Sequence, residues 1–231
     1  MQHMLHYDGC MNFSEISNVI KESLNLKTSP VGVKLFEKEE NAQEFFEKTD
    51  RTMHCQAIIT ASRGKSFYGT ADEIGCPIGA GVLGLRELSE KILDGTHFDK
   101  MNVTSSQESG KALIDSVAKN KRIEAIAYMP LEDSKITPDV VVIIAKPRQI
   151  FDFVRANAYQ EGKRMDNSVG GTQSLCADIV VNSIQTNEPH ISFGCMGSHM
   201  ATELQEDQVI IGIPISKLEE ITNSLIILHK R

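Results

Sequence analysis

Four cysteines, Cys55, Cys76, Cys176 and Cys195, are the residues in this chain whose type and spacing could do chemistry. They form two pairs at nearly equal intervals, and no two make a CxxC. A fifth, Cys10, precedes the first helix signal and is set aside. Thiolates are preferred ligands of iron–sulfur clusters and of structural zinc. An odd count with wide spacing argues against a disulfide framework. Two cysteines from each half of the chain would complete a four-thiolate shell, so all four are expected as ligands of a [4Fe–4S] cluster. Zinc is the alternative, although zinc usually takes paired ligands from tight turns. Redox-active thiols are a further reading. Against all of these stands the ordinary behaviour of free cysteine, which packs as a small hydrophobe.

The surroundings of the cysteines suit a negatively charged group. Gly75 and Gly79 flank Cys76, with Gly81 and Gly84 beyond, and glycine lets backbone amides approach an anion. Pro77 follows Cys76 directly, a common sequence after cluster ligands. Gly194 and Gly197 bracket Cys195. The segment Ser168, Val169, Gly170, Gly171, Thr172 opens the Cys176 helix and could cradle a small anion, although it lacks the ending of a phosphate-binding Walker loop. Lys34, in the middle of a strand, is the expected cationic contact if its face lines a cleft, with Arg63 and Lys65 as helpers. His54, His190 and His199 lie beside the cysteines and are second choices as ligands. No Ser-His-Asp order, HExxH or nucleophile elbow is present.

The elements that must position these residues repeat. His54 to Leu85 and Leu175 to Leu204 each carry a cysteine, a β-branched apolar run, a polar turn, a short strand and a second cysteine preceded by glycine. A strand entered by proline precedes each unit (Pro30 to Phe36, Pro138 to Pro147). A strand closed by proline follows each (Ile123 to Pro130, Gln208 to Pro214). Early helices are expected over Asn41 to Lys48 and over Arg148 to Tyr159. The fold class is therefore α/β or α+β: a mixed sheet with packed helices, in two pseudo-symmetric β-α-α-β-α-β halves from an internal duplication. Residues 1–11 read as a disordered leader, 12–135 as the first half and 136–231 as the second, in one compact unit. Ser14 could cap the first helix, whose apolar face is Ile16, Val19, Ile20 and Leu24.

Composition removes several function classes. A net charge of −7 without a basic stripe argues against nucleic acid. No run approaches a membrane span, and the N-terminus lacks the pattern of a secretion signal, so a cytoplasmic protein is expected. A homodimer formed through a sheet edge is compatible with this architecture.

The segments PVGVKLF, HC…GCPIGAGVLGL and SFGCMGSHMATEL…IIGIP together resemble the domain of unknown function 169 family, also called ArCR. The resemblance covers nearly all of the chain after Met11. It implies a protein found largely in anaerobes and brings no established activity. In related sequences the second glycine-cysteine segment resembles GC-x-G-x-Arg. Ser198 or His199 stands at the arginine's place here, which departs from that pattern. The expected function is an iron–sulfur protein acting in electron transfer with a redox partner protein, or in reduction of a small anionic ligand. The alternative is a non-redox module binding a small anion, with core cysteines or a structural zinc.

Overall fold

The computed structural model describes residues 11–229. The expected leader and Cys10 fall outside them, apart from Met11, which is buried. In chain order the described elements are α1 (Phe13–Leu24), β1 (Val31–Phe36), α2 (Glu39–Gln43), α3 (His54–Ser62), β2 (Phe67–Gly69), α4 (Pro77–Val82), α5 (Glu90–Leu93), α6 (Thr96–Lys100), α7 (Gln107–Ser116) and β3 (Ala125–Pro130). They continue with β4 (Val140–Ala145), α8 (Pro147–Glu161), a π-helix (Ser174–Val181), α9 (Asn182–Thr186), β5 (His190–Ser192), α10 (Met196–Ala201), β6 (Val209–Pro214) and α11 (Ile215–His229). None of the described helices is long and apolar enough to cross a membrane.

The six strands form one sheet in the order β2-β3-β1-β4-β6-β5. Every pairing between these strands is antiparallel. The order is symmetric about the β1–β4 pair: each half runs first, third, second strand from centre to edge. The helical connections do not follow that symmetry. The first half places α4 to α7 after its second cysteine where the second has only α10, and the helix carrying Cys176 is a π-helix. The strand order thus matches the expected halves, while the duplication itself is not shown by the helices.

Side chains alternate across a strand with period two. In β4, Val140 and Val142 join the core on one side of the sheet, and Val141 and Ile143 join the other. The uninterrupted apolar run VVVIIA follows directly, because helices cover both faces. On the first face α3, α4, α7 and the π-helix pack over Val33, Ile126, Tyr128 and Ile210. On the second, α1, α8 and α11 pack over Ile143, Ile211 and Ile213.

Local chemistry explains the boundaries that moved. Asn12, not Ser14, caps α1: its side chain accepts from Glu15 N–H at 3.0 Å, and the Glu15 carboxylate accepts from Asn12 N–H at 2.9 Å. The helix α2 ends at Gln43, well short of Lys48, because the next backbone is taken by β2. There Tyr68 N–H donates to Glu47 O at 3.0 Å, and Thr49 N–H donates to Tyr68 O at 2.8 Å. Glu132, just after β3, fastens α1 to the sheet by accepting from Ser17 Oγ at 2.7 Å and Lys21 Nζ at 2.9 Å. Burial alone would raise the Glu132 pKa, but the hydroxyls of Ser29 and Ser17 and the Lys21 ammonium together bring it to about 2.

Candidate functional site

The starts of several helices converge on the first face of the sheet. Cys55 is the second residue of α3, and Cys176 the third of the π-helix. Cys76 and Cys195 cap α4 and α10, with their sulfurs accepting from Gly79 N–H at 3.3 Å and Ser198 N–H at 3.4 Å. Pro77 stands at the first turn of α4, where its missing N–H costs nothing. That placement accounts for the Cys-Pro sequence without any ligand.

All four cysteines line one cavity of about 180 Å³. Its wall also holds His54, Ile78, Phe98, Leu175 and the methionines Met53, Met101 and Met196. Gly79 leaves space between two of the sulfurs in its wall. A Cβ there would lie 3.3 Å from the Cys76 sulfur and 3.8 Å from the Cys176 sulfur.

The expected iron–sulfur function is overturned. Among the described residues, no three His, Cys, Asp or Glu side chains are grouped to hold a metal ion. Burial pushes the Cys55 thiol up to about 11, with the neighbouring Cys195 adding to the rise. Burial also carries Cys176 well above the usual thiol range, reinforced by Cys76 and Cys195. These two sulfurs are therefore protonated at neutral pH and behave as polarisable apolar wall.

Of the residues expected to hold an anion, only Gly79 and Thr172 line the cavity. The cavity wall contains no lysine or arginine. Lys34 is committed on β1 to Asp139, at 2.7 Å. The other Asp139 oxygen accepts from Leu35 N–H at 2.8 Å. Ser168, Gly170 and Gly171 are exposed, and of that loop only Thr172 reaches the cavity wall. Gly75 packs against Arg51, 3.2 Å from its Nε to a would-be Cβ, and Arg63 pairs with Glu203. Gly84 serves the backbone: its φ is +89°, and a Cβ would meet the Lys121 carbonyl oxygen at 2.0 Å.

The histidines divide. His199 is exposed and its Nε2 donates to Phe193 O at 2.8 Å. His190 is buried beneath α9 and shares 2.9 Å with Thr186 Oγ1. His54 is buried in the cavity wall, 2.8 Å from Tyr128 Oη and 3.2 Å from Leu175 O. Burial pushes its pKa down to about 4, so it is neutral at pH 7.

Sequence reasoning missed Thr172 to Ser174 as a unit. Thr172 Oγ1, Gln173 Oε1 and Ser174 Oγ are buried and have no hydrogen-bond partner among the described residues. Gln173 is also in the left-handed region, at φ +48° and ψ +37°. Three polar residues in succession before an apolar helix were the signal available, and an N-cap accounts for the same pattern.

Asp178, on the π-helix, is another group whose titration the fold alters. Burial raises its pKa from 3.8 to about 7, against the opposing hydroxyl of Ser192, which donates at 3.2 Å. A carboxyl raised on folding contributes stability that is complete below its unfolded pKa and is lost as pH rises through 7. Asp178→Asn is therefore expected to raise the melting temperature at pH 8 and to change it much less at pH 5. Thermal melts at both pH values check this, and an equal shift at the two would contradict it.

No solved structure matches the chain significantly. An uncharacterised protein of Methanocaldococcus jannaschii, MJ0308, is 30% identical over 215 residues, covering 91% of this chain and 92% of that one. The family model described as DUF169, uncharacterised ArCR, matches residues 19–224, which span both halves of the sheet and the whole cavity wall. The chain belongs to the DUF169 family.

Proposed function

We propose that the chain is a small-molecule-binding protein whose ligand is compact, neutral and largely apolar. The observation that carries this reading is the cavity of about 180 Å³ on which the starts of α3, α4, the π-helix and α10 converge. A well-formed apolar pocket with a few polar groups is the usual form of a ligand site.

Charge decides the ligand class. With no lysine or arginine in the wall and His54 neutral, His97 is the one other basic side chain an anion would meet, so little offsets its lost hydration. Ile78, Phe98 and Leu175 offer dispersion contacts, and methionine and thiol sulfur are polarisable and adapt to ligand shape. The protonated Cys55 and Cys176 thiols are weak donors, suited to contact with a π-face or a soft atom.

Toluene is a suitable probe, since apolar cavities of this size class take up small aromatics. In protein carrying ¹³C-labelled methionine methyl groups, toluene should shift the signals of Met53, Met101 and Met196 saturably. Met11 and Met129 belong to other core clusters and should stay unchanged. Absence of saturation, or equal shifts at all of these methyls, would remove the reading.

A further inference from the structure

Resting on the cavity as the ligand site, we propose that the ligand is a small organic hydroperoxide, which Cys76 and Cys176 reduce to an alcohol while they become a disulfide.

The placement of two sulfurs carries this inference. Cys76 and Cys176 both line the cavity. One point, the position of the Cβ that Gly79 lacks, lies 3.3 Å from the first sulfur and 3.8 Å from the second. The two sulfurs therefore flank one gap, and Gly79 leaves it open. The Gly79 N–H donates to the Cys76 sulfur at 3.3 Å and holds it beside that gap. The elements that carry the pair, α4 and the π-helix, pack on each other, the close backbone approach a disulfide requires. Access divides the roles. Cys76 is half-buried and meets the ligand. Cys176 is 7% exposed and has only to reach Cys76 across the gap.

The ligand class follows from the wall. A hydroperoxide is neutral, so a wall without lysine or arginine does not repel it. Its alkyl group lies against Ile78 and Phe98, and its O–O bond is the electrophile that cysteine sulfur attacks. In the first step the Cys76 sulfur takes the terminal peroxide oxygen. An S–O bond forms, the O–O bond breaks, and the thiol proton leaves with the alkoxide as the alcohol. Cys76 is then a sulfenic acid. In the second step the Cys176 sulfur displaces its hydroxyl. An S–S bond forms, and the Cys176 proton leaves with the hydroxyl as water. The two thiols give up two electrons, and the O–O bond takes them. Burial keeps Cys176 protonated, so it does not compete for the peroxide and enters only at the second step.

The test treats the reduced full-length chain with tert-butyl hydroperoxide, alkylates the remaining thiols and maps the cysteine peptides by mass spectrometry. The expected product is an intramolecular Cys76–Cys176 disulfide, reversed by dithiothreitol, with Cys55 and Cys195 still alkylated. Toluene at about ten times its Kd should slow the reaction by the same factor, because it occupies the same cavity. Gly79→Ala sets a methyl group between the sulfurs. It should slow disulfide formation several-fold and leave a Cys76 sulfenic acid that dimedone traps. In Cys76→Ser no sulfenic acid should form at Cys176. Should the variants fail to fold, the wild-type map and the toluene effect decide alone.

No disulfide, a disulfide between other cysteines, or oxygen found only on Met53, Met101 or Met196 would overturn the inference while leaving the cavity reading in place. So would a rate that bound toluene does not change. If toluene shifts none of the wall methyls, the cavity reading falls and takes this inference with it.

Discussion

Replacing His54 by leucine is expected to lower the unfolding free energy by about 3 kcal/mol at pH 7, since it leaves two buried polar groups unpaired. The Leu175 carbonyl can only accept, so His54 Nε2 carries the ring proton and donates to it at 3.2 Å. Nδ1 is then an acceptor for the Tyr128 hydroxyl at 2.8 Å. One imidazole thus ties α3 to strand β3 and to the π-helix. Burial lowers its pKa from 6.5 to about 4. Between those values the unfolded chain binds a proton that the folded one refuses. His54 therefore makes stability fall as pH drops from 6.5 towards 4, by up to roughly 3 kcal/mol. The variant lacks this slope, so urea-denaturation stabilities of wild type and His54→Leu should differ most at pH 7 and converge near pH 4. Asp178 has the opposite slope but is present in both proteins and cancels in the comparison. A difference below 1 kcal/mol at pH 7, or one that does not depend on pH, would show that the imidazole is not the tie described.

Gly212→Ala is expected to cost about 2–4 kcal/mol and to weaken toluene binding about 10-fold, the range in which overpacking against backbone falls. Gly212 lies in β6 directly beneath the π-helix. A Cβ there would stand 2.7 Å from both Ile179 Cγ2 and Ile179 O. The carbonyl oxygen belongs to the helix backbone, so relief requires the whole π-helix to lift. Cys176 and Leu175 move with it, and with them one wall of the cavity. Gly170→Ala is the comparison: its Cβ would meet Leu113 at 3.6 Å and Thr172 Oγ1 at 3.9 Å, ordinary contact distances, and its effect should stay within about 0.5 kcal/mol. Chemical denaturation and the methionine-methyl titration read the two consequences separately. If Gly212→Ala proved as mild as Gly170→Ala, the π-helix would not be seated on the β6 backbone.

Much of this architecture was legible before any coordinates. Prolines marked the ends of β1, β3, β4 and β6 to within a residue or two, because proline restricts the backbone it enters wherever it sits. The apolar run Val140 to Ala145 pointed to a strand covered on both faces, which two helical layers supply. The four cysteines were singled out by spacing, and all four line one cavity.

What the sequence determined by itself was the strands, most of the helices and the four cysteines brought to the site, since these follow from short-range patterns and backbone chemistry. Tertiary structure alone decided what those residues can do there. The raised pKa of Cys55 and Cys176, the lowered pKa of His54 and the unpaired oxygens of Thr172 and Gln173 all come from burial by segments distant in sequence. Grouping for a metal depends in the same way on sulfur positions that spacing cannot convey. Desolvation and convergence are properties of the packed chain, so thiols that read as ligands became part of a largely apolar wall.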